Sequence, residues 1–208
     1  MNRIPHLFPM FLLLSGGCED VEGHDHDHDH NHEHEVITTV QLSFAPQSGD
    51  AAMTYTWADA ESESGGNPEI DSIVLMNSEV YDVSVSFLNE LEDPAEDITP
   101  EIADEADEHQ VFFTGSGIQG PATGTNAAAL VEHTYSDADD NGLPLGLENT
   151  LSTLGTGSAE LTLTLRHMPP EDGSAVKVDG LAESVALDGF GAIGGDNDVQ
   201  VTFPIDVQ

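Results

Sequence analysis

The chain has 208 residues and carries 40 acidic side chains against three Lys and Arg, a formal net charge of −37. So acidic a surface repels nucleic acid and anionic lipid and attracts cations, which sets nucleic-acid binding aside. A single cysteine excludes an internal disulfide and any site built from paired thiolates.

At the amino terminus Arg3 supplies a positive charge, and Leu7 to Leu14 supply a short apolar run ahead of Ser15-Gly16-Gly17-Cys18. About 20 apolar residues are needed to cross a bilayer, so the run reads as a secretion signal and not as a membrane span. Cys18, after two glycines, resembles the bacterial lipobox, with Ser15 standing where Leu is usual. Residues 1–17 are therefore expected to be removed and Cys18 to be lipidated, which predicts a lipid-anchored protein at the outer membrane or cell surface, with the periplasmic side as the alternative. The alternative is an ordinary signal peptide with an incidental cysteine. The mature chain would keep two basic side chains, Arg166 and Lys177, against 40 acids, a net charge of −38.

Residues 18–35 form a polar tether. Within it His24, His26, His28, His30, His32 and His34 alternate with Asp25, Asp27, Asp29, Asn31 and Glu33. In an extended chain residues two apart project to one side, so the six imidazoles can line one edge and the carboxylates the other. Neutral imidazole suits zinc and other late first-row ions, and carboxylates nearby concentrate cations and can complete the coordination. Ordering such a tract costs about 1–2 kcal/mol per residue, which points to capture and buffering more than to a tight structural site. The alternative is a solvated spacer.

From Val36 to Gln208 about 170 residues remain, enough for one sizeable core. Val36, Val40, Leu42 and Phe44 recur at period two, the spacing of a half-buried strand. Residues 52–57, 70–75, 81–88, 110–114, 130–135, 159–166 and 199–207 continue the pattern, rich in β-branched and aromatic residues and bounded by turn formers. About eight strands in this arrangement predict an all-β, antiparallel, immunoglobulin-like sandwich over residues 36–208. One short helix is expected near residues 100–108, with Thr99 as its cap and Pro100 in its first position. Residues 169–198, rich in Gly and Asp, read as a long loop or irregular hairpin.

Two further sites are legible as candidates. Asp137, Asp139, Asn141, Gly142 and Glu148 satisfy the spacing of a calcium loop, in which three oxygen ligands precede a bend and a bidentate carboxylate closes the site. The segment around His133 reads as a strand and not as the helix an EF-hand needs, so a hairpin turn on Asn141-Gly142 is an equal reading. Asp59, Glu61 and Glu63, before Gly65-Gly66, form a weaker acidic loop. Outside the tract, His109 follows Glu105, Asp107 and Glu108, and His167 ends a strand. If the fold brings the two imidazoles together, a metal site follows, with Glu105 or Glu108 as carboxylate ligand.

Several stretches carry a family resemblance: Glu35 to Val40, Phe87 to Glu90, Pro94 to Thr99, Asp107 to Phe113, Tyr135 to Leu147, Leu163 to His167 and Val199 to Phe203. Through them residues 36–208 resemble an uncharacterised group of bacterial, often outer-membrane-associated, lipoproteins labelled as a type 1 periplasmic-binding fold. The group has a D-x-D-G-x-G loop where this chain has Asp59 to Gly66. That label implies alternating strands and helices, whereas the strand pattern predicts a sandwich.

The sequence thus predicts a non-enzymatic envelope lipoprotein that captures zinc or another late first-row ion, accessory to an outer-membrane receptor. A calcium-stabilised sandwich that binds a carbohydrate or protein, with the tract only a spacer, is the second reading. No nucleophile elbow, His-Glu-x-x-His or phosphate-binding glycine loop speaks for an enzyme.

Overall fold

The computed structural model describes residues 35–59 and 67–208. Cys18 and the tract histidines His24, His26, His28, His30, His32 and His34 lie outside the described residues, as do Glu61 and Glu63. In chain order come β1 (Thr39–Pro46), β2 (Met53–Ala58), β3 (Glu69–Ile70), β4 (Ile73–Leu75), β5 (Val80–Asn89) and β6 (Glu96–Asp97). Helix α1 (Thr99–Asp104) precedes β7 (His109–Thr114), β8 (Ile118–Gln119), β9 (Val131–Tyr135), β10 (Glu148–Thr153) and β11 (Gly157–His167). Helix α2 (Leu181–Asp188), one 3₁₀ turn (Phe190–Ala192) and β12 (Asp196–Val207) complete the chain.

These strands form two sheets, one in the order β3-β2-β1-β5-β10-β9-β8 with β6 also on β5, the other in the order β4-β12-β11-β7. All pairings are antiparallel except β4 with β12 and β8 with β9. The protein is an all-β sandwich, as the period-two pattern predicts. Val40, Leu42 and Phe44 of β1, Val83, Val85 and Phe87 of β5, Leu161, Leu163 and Leu165 of β11 and Val201, Phe203 and Ile205 of β12 fill one core between the sheets. Each such side chain contributes roughly 1.5–3 kcal/mol by leaving water.

The differences from the sequence expectation have local causes. Residues 70–75 are not one strand: Ile70 pairs with Trp57 in the first sheet, and Ile73 with Ile205 in the second. The polar Asp71-Ser72 makes the crossing, and the Asp71 carboxylate accepts the Thr56 N–H at 2.8 Å. Strand β10 escaped the pattern because, of its inward residues Asn149, Leu151 and Thr153, only Leu151 is apolar. Asn149 and Thr153 are accommodated by hydrogen bonds to the Gly146 carbonyl and to the Met76 and Glu79 carbonyls. In α1 the cap is Ile98 and not Thr99, whose hydroxyl accepts the Phe87 N–H at 2.9 Å instead. Inside the expected loop of residues 169–198 stands α2. Its Leu181, Ala182 and Val185 pack on Phe112 and Met168, on the face of the second sheet away from the main core. Eight residues flanked by Gly180 and Gly189 are too few to show a helical period.

Candidate metal centre

Residues 109 and 167 face each other directly, because β7 and β11 pair in the register Leu165 with Val111 and His167 with His109. Counting in twos from Leu161, Leu163 and Leu165 puts His167 on the inner face of its sheet, and His109 shares that face with Val111 and Phe113. The two rings therefore stack at the end of the core, 4.5 Å apart between centroids and 11° from parallel. This is the meeting of His109 and His167 on which the sequence reading of a folded metal site depended.

The carboxylates that join them are not the expected ones. Glu35 Oε1 lies 3.5 Å from His109 Nε2, and Asp198 Oδ2 lies 3.6 Å from the same nitrogen. Glu35, assigned to the tether on sequence, is part of the folded site. Asp198, assigned to the loop, enters through an irregularity in β12. Leu165 pairs with Val199 but Arg166 pairs with Asn197, so Asp198 is an extra residue opposite no partner on β11. Such a bulge breaks the alternation and re-aims a side chain, here into the site. Arg166 anchors it, donating to Asn197 Oδ1 at 2.8 Å and to the Gly194 carbonyl at 2.9 Å. Gly195 passes so close to the His167 carbonyl that no side chain fits there, and its φ of +77° is the left-handed region that favours glycine. Of the expected carboxylate ligands, Glu105 offers its backbone carbonyl to His109 Nδ1 at 3.2 Å, and Glu108 Oε2 lies 3.5 Å from His167 Nε2.

The geometry suits an ion. A carbonyl oxygen only accepts, so Nδ1 of His109 carries hydrogen and Nε2 points at the carboxylates. That fully buried Nε2 and the Glu35 Oε2 have no hydrogen-bond partner, a costly arrangement unless something fills the space between them. Around a tetrahedral ion with bonds of about 2.0–2.1 Å, ligand atoms stand roughly 3.3–3.4 Å apart, close to the separations of 3.5 and 3.6 Å found here. One donor atom from each of Glu35, His109, His167 and Asp198 lies within 4.8 Å of the other three. Among the described residues no other group of three or more His, Cys, Asp or Glu donors converges in this way. Two imidazoles and two carboxylates would neutralise a dication, and this nitrogen and oxygen donor set is chemically compatible with zinc, copper(II), iron, cobalt, nickel and manganese.

The electrostatics carry the same sign. Burial alone would lower the His109 pKa, but the Asp198 and Glu35 carboxylates outweigh it and push it up to about 9. Glu35 is held below the usual carboxylate range against the opposing effect of burial, chiefly by His109. In the metal-free protein an imidazolium between two carboxylates thus stands where a cation could sit, and a metal ion binding there would displace that proton.

No family model, curated protein or solved structure matches the chain. The site is therefore read from its own residues.

The acidic loop between β9 and β10 is organised differently. Asp137 accepts three backbone N–H groups, from Gly146 at 2.6 Å and from Leu147 and Glu148 at 2.8 and 2.9 Å. Asp139 accepts the N–H groups of Asn141 and Leu143 through Oδ1, both at 2.9 Å, and meets Lys177 Nζ through Oδ2 at 2.9 Å. Glu148 is exposed at the start of β10. Protein donors thus already meet the Asp137 and Asp139 carboxylates that the calcium motif would offer, and strands, not helices, flank the loop. The hairpin is not the expected tight turn either. Gly142 N–H closes a turn on the Asp139 carbonyl at 2.9 Å, with only Gly142, and not Asn141, at positive φ. His133, the third histidine of residues 36–208, is a core residue, stacked on Phe113 and hydrogen-bonded through Nε2 to Asn149 at 2.9 Å.

Proposed function

We propose that this protein binds a divalent transition-metal ion, zinc in the first place, at Glu35, His109, His167 and Asp198, and that it does so as a lipid-anchored protein of the cell envelope. The observation that carries the reading is the buried Nε2 of His109, without a hydrogen bond, 3.5 and 3.6 Å from two carboxylates and backed by a second imidazole. The donors are almost wholly enclosed, which suits holding an ion more than catalysis, since a catalytic zinc keeps an open position for water or substrate. The expected anchor at Cys18 supports the envelope role, and the histidine tract supports the metal reading, because it ends at His34, covalently next to Glu35. Ions gathered along the tether would be concentrated beside the folded site, and the acidic surface would draw them there.

The test is a zinc titration of the full-length chain after serine replaces the six tract histidines. One equivalent bound in this chain, and none once His109 and His167 are also replaced by alanine, is the expected result. Binding that vanishes with the tract alone would confine the metal chemistry to the tether.

A further inference from the structure

The four donors are nearly sealed from solvent: the side chains of His109 and Asp198 are 0% exposed, Glu35 8% and His167 7%. A partly exposed ligand beside them would give a hydrated ion its first protein contact. Glu108 has that position. Its side chain is 23% exposed, and its Oε2 lies 3.5 Å from His167 Nε2, although it is not one of the four mutually close donors. The backbone beneath it is held, with its N–H donating to the Glu105 carbonyl at 2.9 Å and its carbonyl accepting the Met168 N–H at 2.6 Å. With the backbone held, a change of side-chain rotamer would move the carboxylate while Cα stays fixed.

We propose, resting on the metal reading above, that Glu108 is the entry and exit ligand of the buried site. It takes a hydrated divalent ion from solvent together with His167 and passes it inward to His109, Glu35 and Asp198, and it receives the ion again on release. Two arguments support this. Losing hydration water is costly for a divalent ion, and replacing water ligands one at a time by protein oxygens and nitrogens avoids a bare intermediate. His167 is also the one imidazole in contact with both sides, stacked on His109 inward and facing Glu108 outward. A ligand used only in passage lowers the barrier in both directions and leaves the end states alone.

The experiment uses the full chain with serine at the six tract histidines, so that zinc reports the folded site. Loading from a buffered zinc pool and release to excess chelator are followed by stopped flow. Glu108→Gln, isosteric and partly exposed, is expected to slow both rates about tenfold, as a change in the barrier alone, and to change Kd by less than about threefold. Asp107→Asn, which removes an adjacent exposed charge, is expected to change either rate by less than about twofold at physiological salt. Unchanged rates in Glu108→Gln, or equal slowing by Asp107→Asn, would overturn the proposal. So would a loss of affinity in Glu108→Gln carried by release alone, which would make Glu108 a fifth resident ligand. Absence of zinc binding in the parent chain is a separate outcome, since it removes the metal reading itself.

Discussion

The acidic loop of residues 137–148 and the imidazole pair at 109 and 167 show how differently two candidate sites can resolve. The loop matches a metal-binding motif by spacing, yet Asp137 and Asp139 are committed to backbone amides and to Lys177. The two histidines match no motif, yet they stack at the end of the core with a buried nitrogen that faces two carboxylates and makes no hydrogen bond. What distinguishes a site for an ion is not the number of acids but whether the fold has already satisfied them.

The largest effect expected from probing this contrast lies on the loop side. Lys177 is buried; its Nζ meets Asp139 at 2.9 Å and donates to the Ala106 carbonyl at 2.7 Å. Burial lowers the Lys177 pKa, while the pair with Asp139 resists that shift and keeps the Asp139 carboxyl below its ordinary range despite its own burial. Lys177→Ala should cost about 3–5 kcal/mol of unfolding free energy in urea, because it strands a carboxylate. A loss under about 1 kcal/mol would show that the loop is not organised by this pair.

The buried imidazoles sharpen the comparison through pH. Burial lowers the His133 pKa to about 4, so below about pH 6.5 the unfolded chain takes up a proton that the folded chain refuses. The stability of the metal-free protein should therefore fall by about 3 kcal/mol from this group as pH drops from 6.5 to 4. His109, raised to about 9, acts with the opposite sign. Its contribution is full below about pH 6.5 and is lost as pH rises through 9. Urea unfolding across both windows reads the two slopes, and His133→Gln should flatten only the acidic one. An acidic slope that survives His133→Gln unchanged would assign it to the carboxylates instead.

Next in size is the metal itself. In the chain lacking the tract histidines, His109→Ala should weaken zinc binding about 100-fold, or about 2.7 kcal/mol, by chelator competition. The smallest effect belongs to the exposed Glu148. Glu148→Gln should alter stability by less than about 0.5 kcal/mol and leave the response of the melting temperature to calcium unchanged. A calcium-dependent rise that disappears in this variant would place an ion in the loop and erase the contrast.

Much of this protein follows from local pattern. Period two in residues such as Leu161, Leu163 and Leu165 is enough to specify strands with one buried face, and hence a sandwich, because a strand's faces alternate whatever it pairs with. The same alternation puts His109 and His167 on inner faces. It does not place them opposite each other, which depends on the register of β7 against β11, a matter of long-range pairing. Asp198 was hidden for a related reason, since its entry into the site requires a bulge that becomes visible only once β12 is laid beside β11. Glu35 looked like the last acid of a polar tether, and Lys177 like one residue of an irregular loop. Composition and periodicity determined the fold class and the candidate imidazoles, because both are properties of neighbouring residues. Tertiary structure decided which carboxylates converge on them and which are already satisfied, because that convergence joins residues 35, 109, 167 and 198 across the chain.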